Sequence, residues 1–142
     1  MIDVRRLSKA YGSKRVLDEV SFTAAKSQIT CLIGLNGTGK GNAAKVNLLL
    51  GLSLDADYVL MDEPFSGIDL FGREQIAGIF TSHLIEDRCV LMTTHEIQDI
   101  EHLIDKAVLL GQGRVLKEFS AEDVRHREGK SVVDVMREVY QP

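Results

Sequence analysis

The sequence predicts an α/β fold built on a mainly parallel sheet flanked by helices and covered on both faces. Three observations carry that reading. Short, nearly continuous apolar runs of strand length occur at Ile29–Ile33, Tyr58–Met61 and Cys89–Thr93, as expected for strands buried on both sides. Segments with helical periodicity alternate with them. The chain has 142 residues, 44% apolar and 27% charged, which is ample for one buried core and unlike a disordered or membrane-embedded body.

Taken in order, residues 2–33 read as short β-rich runs separated by turn residues: Ile2–Val4, Tyr11–Ser13, Val20–Thr23 and Ile29–Ile33. The last is the expected central strand. Residues 34–41 are punctuated by glycine, and Asn42–Leu54 reads as a largely buried helix because its apolar residues cover most of the circumference. Strand Tyr58–Met61 follows, then helix signals over residues 72–85, strand Cys89–Thr93 and a short helix over Glu96–Leu103. Ala107–Leu110 and Val115–Phe119 flank Gly111-Gln112-Gly113 as a hairpin. Ser120 and Ser131 are candidate N-caps of two terminal helices. The apolar stripe Val132, Val133, Val135, Met136, Val139, Tyr140 is expected to pack on its own domain. Residues 1–142 are expected to form one domain.

Charge and cysteine usage exclude several functions. The net charge of -4 offers no broad footprint for nucleic acid, so no nucleic-acid partner is expected. Residues 1–40 nevertheless hold seven Lys/Arg and three Asp/Glu, against ten and eighteen in residues 41–142; this is either ordinary surface variation or the mark of an anion, such as a phosphate chain, docking on the first part. Cys31 and Cys89, each in an apolar run, read as reduced buried thiols. Met1–Leu7 carries Asp3, Arg5 and Arg6 without an apolar stretch, and no run is long enough to span a membrane; the expectation is a cytosolic chain.

The chemistry concentrates after the apolar strands. Gly34-Leu35-Asn36-Gly37-Thr38-Gly39-Lys40 lies between strand 29–33 and a helix. There, backbone N–H groups converge on phosphates, the helix N-terminus adds its dipole, and Lys40 reaches the β- and γ-phosphates. The following residue should carry a hydroxyl for Mg²⁺ but is Gly41. Strand 58–61 runs into Asp62 and Glu63, where Asp62 suits the metal or its water shell and Glu63 an attacking water. Ser66-Gly67-Ile68-Asp69 follows, and Thr93-Thr94-His95-Glu96 ends the next strand, with His95 a candidate γ-phosphate sensor.

In this order the residues resemble the nucleotide-binding domain of ABC transporters over nearly the whole chain. Residues 34–40 look like Walker A, 58–63 like Walker B with its following glutamate, 66–69 (Ser66, Asp69) like the D-loop, and His95 like the switch histidine. Tyr11 looks like the aromatic residue that stacks on adenine; an exposed turn tyrosine is the plainer alternative. The resemblance implies an N-terminal antiparallel β portion, a P-loop NTPase core and Mg-ATP as substrate. It also implies pairing of two such domains, as homodimer or heterodimer, and a separate transmembrane subunit that holds them at the inner face of the cell membrane.

One departure is large. Only 21 residues separate Lys40 from Asp62, where the family places on the order of a hundred, including the Q-loop, a helical subdomain and the signature motif. Gly41-Asn42-Ala43-Ala44-Lys45-Val46 resembles the end of a variant signature motif and its helix, so Walker A joins straight onto that motif's tail. The helical subdomain is therefore expected to be absent. The sequence leaves open a genomic deletion, an engineered minimal core, or two segments not covalently joined at 40 and 41. Gln75 and Gln98 sit in the wrong places to replace the Q-loop glutamine. The retained residues suit nucleotide binding better than hydrolysis. A non-catalytic regulatory module, or a soluble ABC-type ATPase, are the alternatives to a transporter subunit.

Overall fold

The computed structural model describes residues 1–33, 56–68, 77, 78, 80, 87–98 and 100–141. The expected helix 42–54 and most of the helix expected over 72–85 lie outside these residues; Ala77, Gly78 and Phe80 are helical.

The N-terminal part is a long antiparallel hairpin, β1 (Ile2–Tyr11) and β2 (Lys14–Ala24), paired from Ile2↔Ala24 to Tyr11↔Lys14. Tyr11 closes β1 and Gly12-Ser13 makes the turn, so the short runs read from sequence are pieces of two strands. Polar residues at Arg5, Arg6, Ser8 and Lys9 obscured the pattern because the register shifts there. Arg6 and Glu19 take φ values of 44° and 53° at these irregularities. Ser21 Oγ accepts from Arg6 N–H at 2.8 Å, and Ser8 Oγ from Glu19 N–H at 2.9 Å, so side chains supply acceptors where the ladder is broken.

Among the described residues the second sheet has five strands in the order β4-β5-β3-β6-β7. These are β3 (Gln28–Ile33), β4 (Tyr58–Asp62), β5 (Cys89–Thr94), β6 (Lys106–Gly111) and β7 (Arg114–Ser120). All neighbouring pairs are parallel except β6–β7, the expected hairpin. Residues 96–100 form no helix among the described residues; a single 3₁₀ turn, Glu101–Leu103, is all that remains of the helix expected over 96–103. Ser120 caps α1 (Ala121–Glu128), which stops at Gly129 in the left-handed region (φ 64°). Ser131 and Asp134 form a reciprocal capping box on α2 (Val132–Tyr140). No helical subdomain occurs among the described residues, and no described helix is long and apolar enough to cross a membrane.

Alternation along the strands divides the core in two. Ile29, Cys31, Ile33, Val90, Met92, Ala107 and Leu109 face Phe65, Ile97, Ile100, Val124 and the α2 residues Val132 and Val135, with Val133, Met136, Val139 and Tyr140 packed alongside. The apolar stripe thus packs on its own chain. On the other face, Leu32, Leu91, Val108 and Leu110 meet Val20 and Phe22 of the hairpin. Among the described residues that face is covered by β1–β2, not by helices.

Polar contacts pin the two sheets together. Asp18 accepts from Arg15 Nη1 and Arg114 Nε, both at 2.7 Å, and its own N–H donates to Gly113 O at 2.6 Å. The Arg114 and Arg15 guanidinium groups hold the Asp18 carboxyl below its usual range against a smaller opposing effect of desolvation. Lys106 Nζ donates to Thr23 O at 2.8 Å, and the Cys89 thiol donates to Ala24 O at 3.4 Å.

Candidate functional site

The strand order decides what meets at the sheet's C-terminal edge. β5 lies between β3, which leads toward the glycine-rich segment, and β4, which carries the acidic pair. In register, Leu32, Thr93 and Asp62 form one row across the three strands, and Ile33 pairs with Thr94 in the next. Glu63 and His95 therefore both emerge just beyond the last rungs. This edge of a parallel sheet is where α/β folds present ligands.

Glu63 is held there by backbone and by ring. It takes φ 46°, and its N–H reaches both Thr93 O (3.0 Å) and Thr93 Oγ1 (3.1 Å). Thr93 in turn donates its hydroxyl proton to Asp62 Oδ1. The turn after Glu63 closes through Ser66 N–H to Glu63 O at 3.1 Å and Ile68 N–H to Phe65 O at 3.2 Å. Phe65, fully buried and 5.6 Å from the Phe80 ring, anchors that turn in the core.

His95 Nδ1 and Glu63 Oε1 are 2.7 Å apart, and His95 Nε2 lies 3.9 Å from Glu96 Oε1. The hydrogen bond to Glu63 raises the His95 pKa above its ordinary 6.5; desolvation opposes the rise, and the charges of Glu63 and Glu96 add to it. Glu96 is fixed by its N–H to Thr94 Oγ1 at 3.1 Å. The second oxygen of Glu63, Oε2, is buried and has no partner among the described groups. A buried carboxylate oxygen without a donor costs about 1–3 kcal/mol, so this atom is suited to a water or ligand donor. Asp62 is exposed, with one oxygen engaged by Thr93. One such carboxylate fits Mg²⁺, which keeps much of its water shell and takes one or two protein carboxylates. No cluster of three or more metal-ligating side chains occurs among the described residues.

The structure thus brings together Asp62, Glu63, His95 and Ser66 of the residues singled out in sequence. Gly34, Asn36, Gly37, Thr38, Gly39, Lys40, Gly41, Asp69 and the Tyr11 side chain lie outside the described residues. In sequence Thr93 is only the last residue of an apolar run, just ahead of His95; its role depends on the β4–β5 register. Tyr140 was read as one apolar position among six, yet its hydroxyl lies 3.0 Å from Ile33 O and 2.8 Å from Leu110 O.

No protein-family model matches the chain. The fold is that of an ATP-binding cassette: it superposes on the ATP-binding subunit of an ABC transporter with a TM-score of 0.73, at 17% identity over 98% of this chain and 99% of that one. A nucleotide-free ATP-binding cassette from an ABC transporter gives 0.72, at 12% identity over 98% and 96%. In sequence the chain is 30% identical over 136 residues to an aliphatic sulfonates import ATP-binding protein of Nocardia farcinica, covering 94% of this chain and 51% of that protein. It is 32% identical over 112 residues to an uncharacterized ABC transporter ATP-binding protein of Synechocystis, covering 78% and 30%. The chain therefore belongs to the ABC transporter ATP-binding proteins, in shortened form, and spans about a third to a half of these relatives' length.

Proposed function

We propose that the chain is a shortened ATP-binding subunit of an ABC transporter that binds ATP with Mg²⁺ and turns it over at or near background rate. The observation that carries this is the shared sheet edge, where Asp62 stands in one row with Thr93 and Leu32 near the end of β3, and Glu63 and His95, 2.7 Å apart, lie just beyond the last rungs. In this reading the glycine segment 34–39 and Lys40 hold the phosphates, Tyr11 the adenine and Asp62 the metal's water shell. Mg²⁺ would neutralise phosphate charge. Glu63, oriented by His95, would accept a proton from water at Oε2. The chain would act at the cytoplasmic face, paired with a second cassette and a membrane-spanning subunit, as a single domain.

Turnover is weak for a physical reason. Phosphoryl transfer depends almost wholly on positioning and charge neutralisation. Gly41 brings no hydroxyl to the metal, and Gln98, exposed and three positions after His95 in the chain, is in the wrong place to replace the Q-loop glutamine. Titration calorimetry should show ATP binding that falls at least tenfold in Lys40→Ala, the loss of about 1.4 kcal/mol or more expected for a charge-assisted contact. Phosphate release with Mg-ATP should match a Glu63→Gln blank. Equal affinities would end the phosphate-loop reading, and release well above the blank would show the missing segment to be dispensable.

A further inference from the structure

The end of β5 gives Glu63 two supports at once. Its N–H reaches Thr93 O at 3.0 Å and Thr93 Oγ1 at 3.1 Å, and its Oε1 lies 2.7 Å from His95 Nδ1, two residues further along the same segment. Because the Thr93 hydroxyl oxygen accepts from Glu63, its single proton is left for another acceptor, and it goes to Asp62 Oδ1. The result is a directed chain from Glu63 N–H through the Thr93 hydroxyl to the Asp62 carboxylate. A charged acceptor at the end of such a chain polarises the hydroxyl and makes its oxygen a stronger acceptor for the N–H behind it. That hold has something to oppose. Glu63 stands at φ 46°, left-handed backbone that a residue bearing a Cβ keeps only where its surroundings fix it.

We propose that Thr93 is a positioning residue whose hydroxyl ties the Glu63–His95 pair to the Asp62 carboxylate, holding Glu63 in its left-handed turn so that its side chain meets the ring. This rests on the ATP-binding reading above for the roles of the two carboxylates. Asp62 then acts twice, toward the metal's water shell and, through Thr93, on the orientation of its neighbour. Glu63 and His95 come from different strands, and without the hydroxyl the turn keeps only Thr93 O as an acceptor for its first N–H. Thr93 itself touches neither water nor phosphate in this role; it acts through Glu63.

The test follows the His95 ring by ¹H–¹⁵N NMR at about pH 6, where the Nδ1 proton is present and shifts downfield when bonded to a carboxylate. Glu63→Gln in the full chain marks the resonance without that carboxylate. Thr93→Val keeps the branched shape and removes only the hydroxyl; it should move the resonance at least roughly half of the way to the Glu63→Gln position. Thr93→Ser, which restores the hydroxyl, should return it to the parent position. Ser131→Ala loosens a helix cap elsewhere and should lower the melting temperature while leaving the resonance in place. An unmoved resonance in Thr93→Val, no return in Thr93→Ser, or an equal movement in Ser131→Ala would overturn the assignment. Should Thr93→Val fail to fold, the parent decides: its Thr93 hydroxyl proton should be slow to exchange and give a cross-peak to the Glu63 amide proton, and the lack of that signal overturns the idea. A parent that binds ATP no better than Lys40→Ala refutes the nucleotide reading, a result that leaves the outcome at Thr93 as it stands.

Discussion

Replacing Gly113 with alanine should break the docking of the hairpin onto the main sheet. Gly113 sits in the β6–β7 turn at φ 78°, and a Cβ there would lie 2.7 Å from Val16 O and 3.3 Å from Leu17 Cα. Left-handed backbone costs a side-chain-bearing residue about 1–2 kcal/mol. The close contact is with backbone, so no rotamer relieves it, and β2 must back away. That movement gives up the Asp18 N–H to Gly113 O bond, another ~1 kcal/mol. The Asp18–Arg114 pair is screened by solvent and adds little. The sum is roughly 2–3 kcal/mol, a fall in melting temperature of about 6–12 °C for a chain of this size. Gly12→Ala is the control. Its φ is 59° with no atom within 4 Å of an added Cβ, so it carries the backbone cost alone. Urea and thermal denaturation followed by circular dichroism measure both. If Gly113→Ala costs no more than Gly12→Ala, the close approach of the two sheets does not contribute as argued.

Glu63→Gln should lower the His95 pKa, because the main cause of its elevation is the hydrogen bond to that carboxylate. A histidine whose folded pKa is raised stabilises the fold fully below its unfolded pKa and loses that contribution as pH rises through the folded value. The stability gap between parent and Glu63→Gln should therefore narrow as pH climbs above 6.5 and through the folded His95 pKa. Imidazole proton shifts in NMR report the titration, and an unmoved midpoint would refute the pairing. Burial, with a smaller contribution from the Glu63 charge, pushes the Cys31 thiol up to about 12, and Cys89 is fully buried. Neither should react with a disulfide reagent at pH 8 until the chain is unfolded; rapid labelling of the native protein would contradict their burial.

How the shortened chain completes a core is clear on the side that α2 covers. Val132 and Val135 fill the space against Ile33, Met92 and Leu109, so the C-terminal helix is structural as well as close to the site. On the β4 margin, Tyr58 and Leu60 are exposed at 49% and 68%. Both belong to the face that carries the hairpin, which reaches the sheet centre through Val20 and Phe22 but leaves this outer strand largely uncovered.

Local chemistry in the sequence was enough to specify the strands of the second sheet, the hairpin at Gly111–Gly113, both serine caps and the acidic pair after β4. Each depends on neighbours within a few residues: apolar runs, left-handed turns, hydroxyls three residues from a helix N–H. The family, too, was legible, because its motifs are short, ordered and chemically distinctive. Strand order was not. That β5 inserts between β3 and β4, so that Thr93 supports Glu63 and His95 reaches it at 2.7 Å, follows from pairing between segments some thirty and sixty residues apart. The Tyr140 clamp on Ile33, 107 residues away, was hidden for the same reason. Periodicity says that a side chain faces a core, but only the packed sheet determines which strand end waits there to accept its proton.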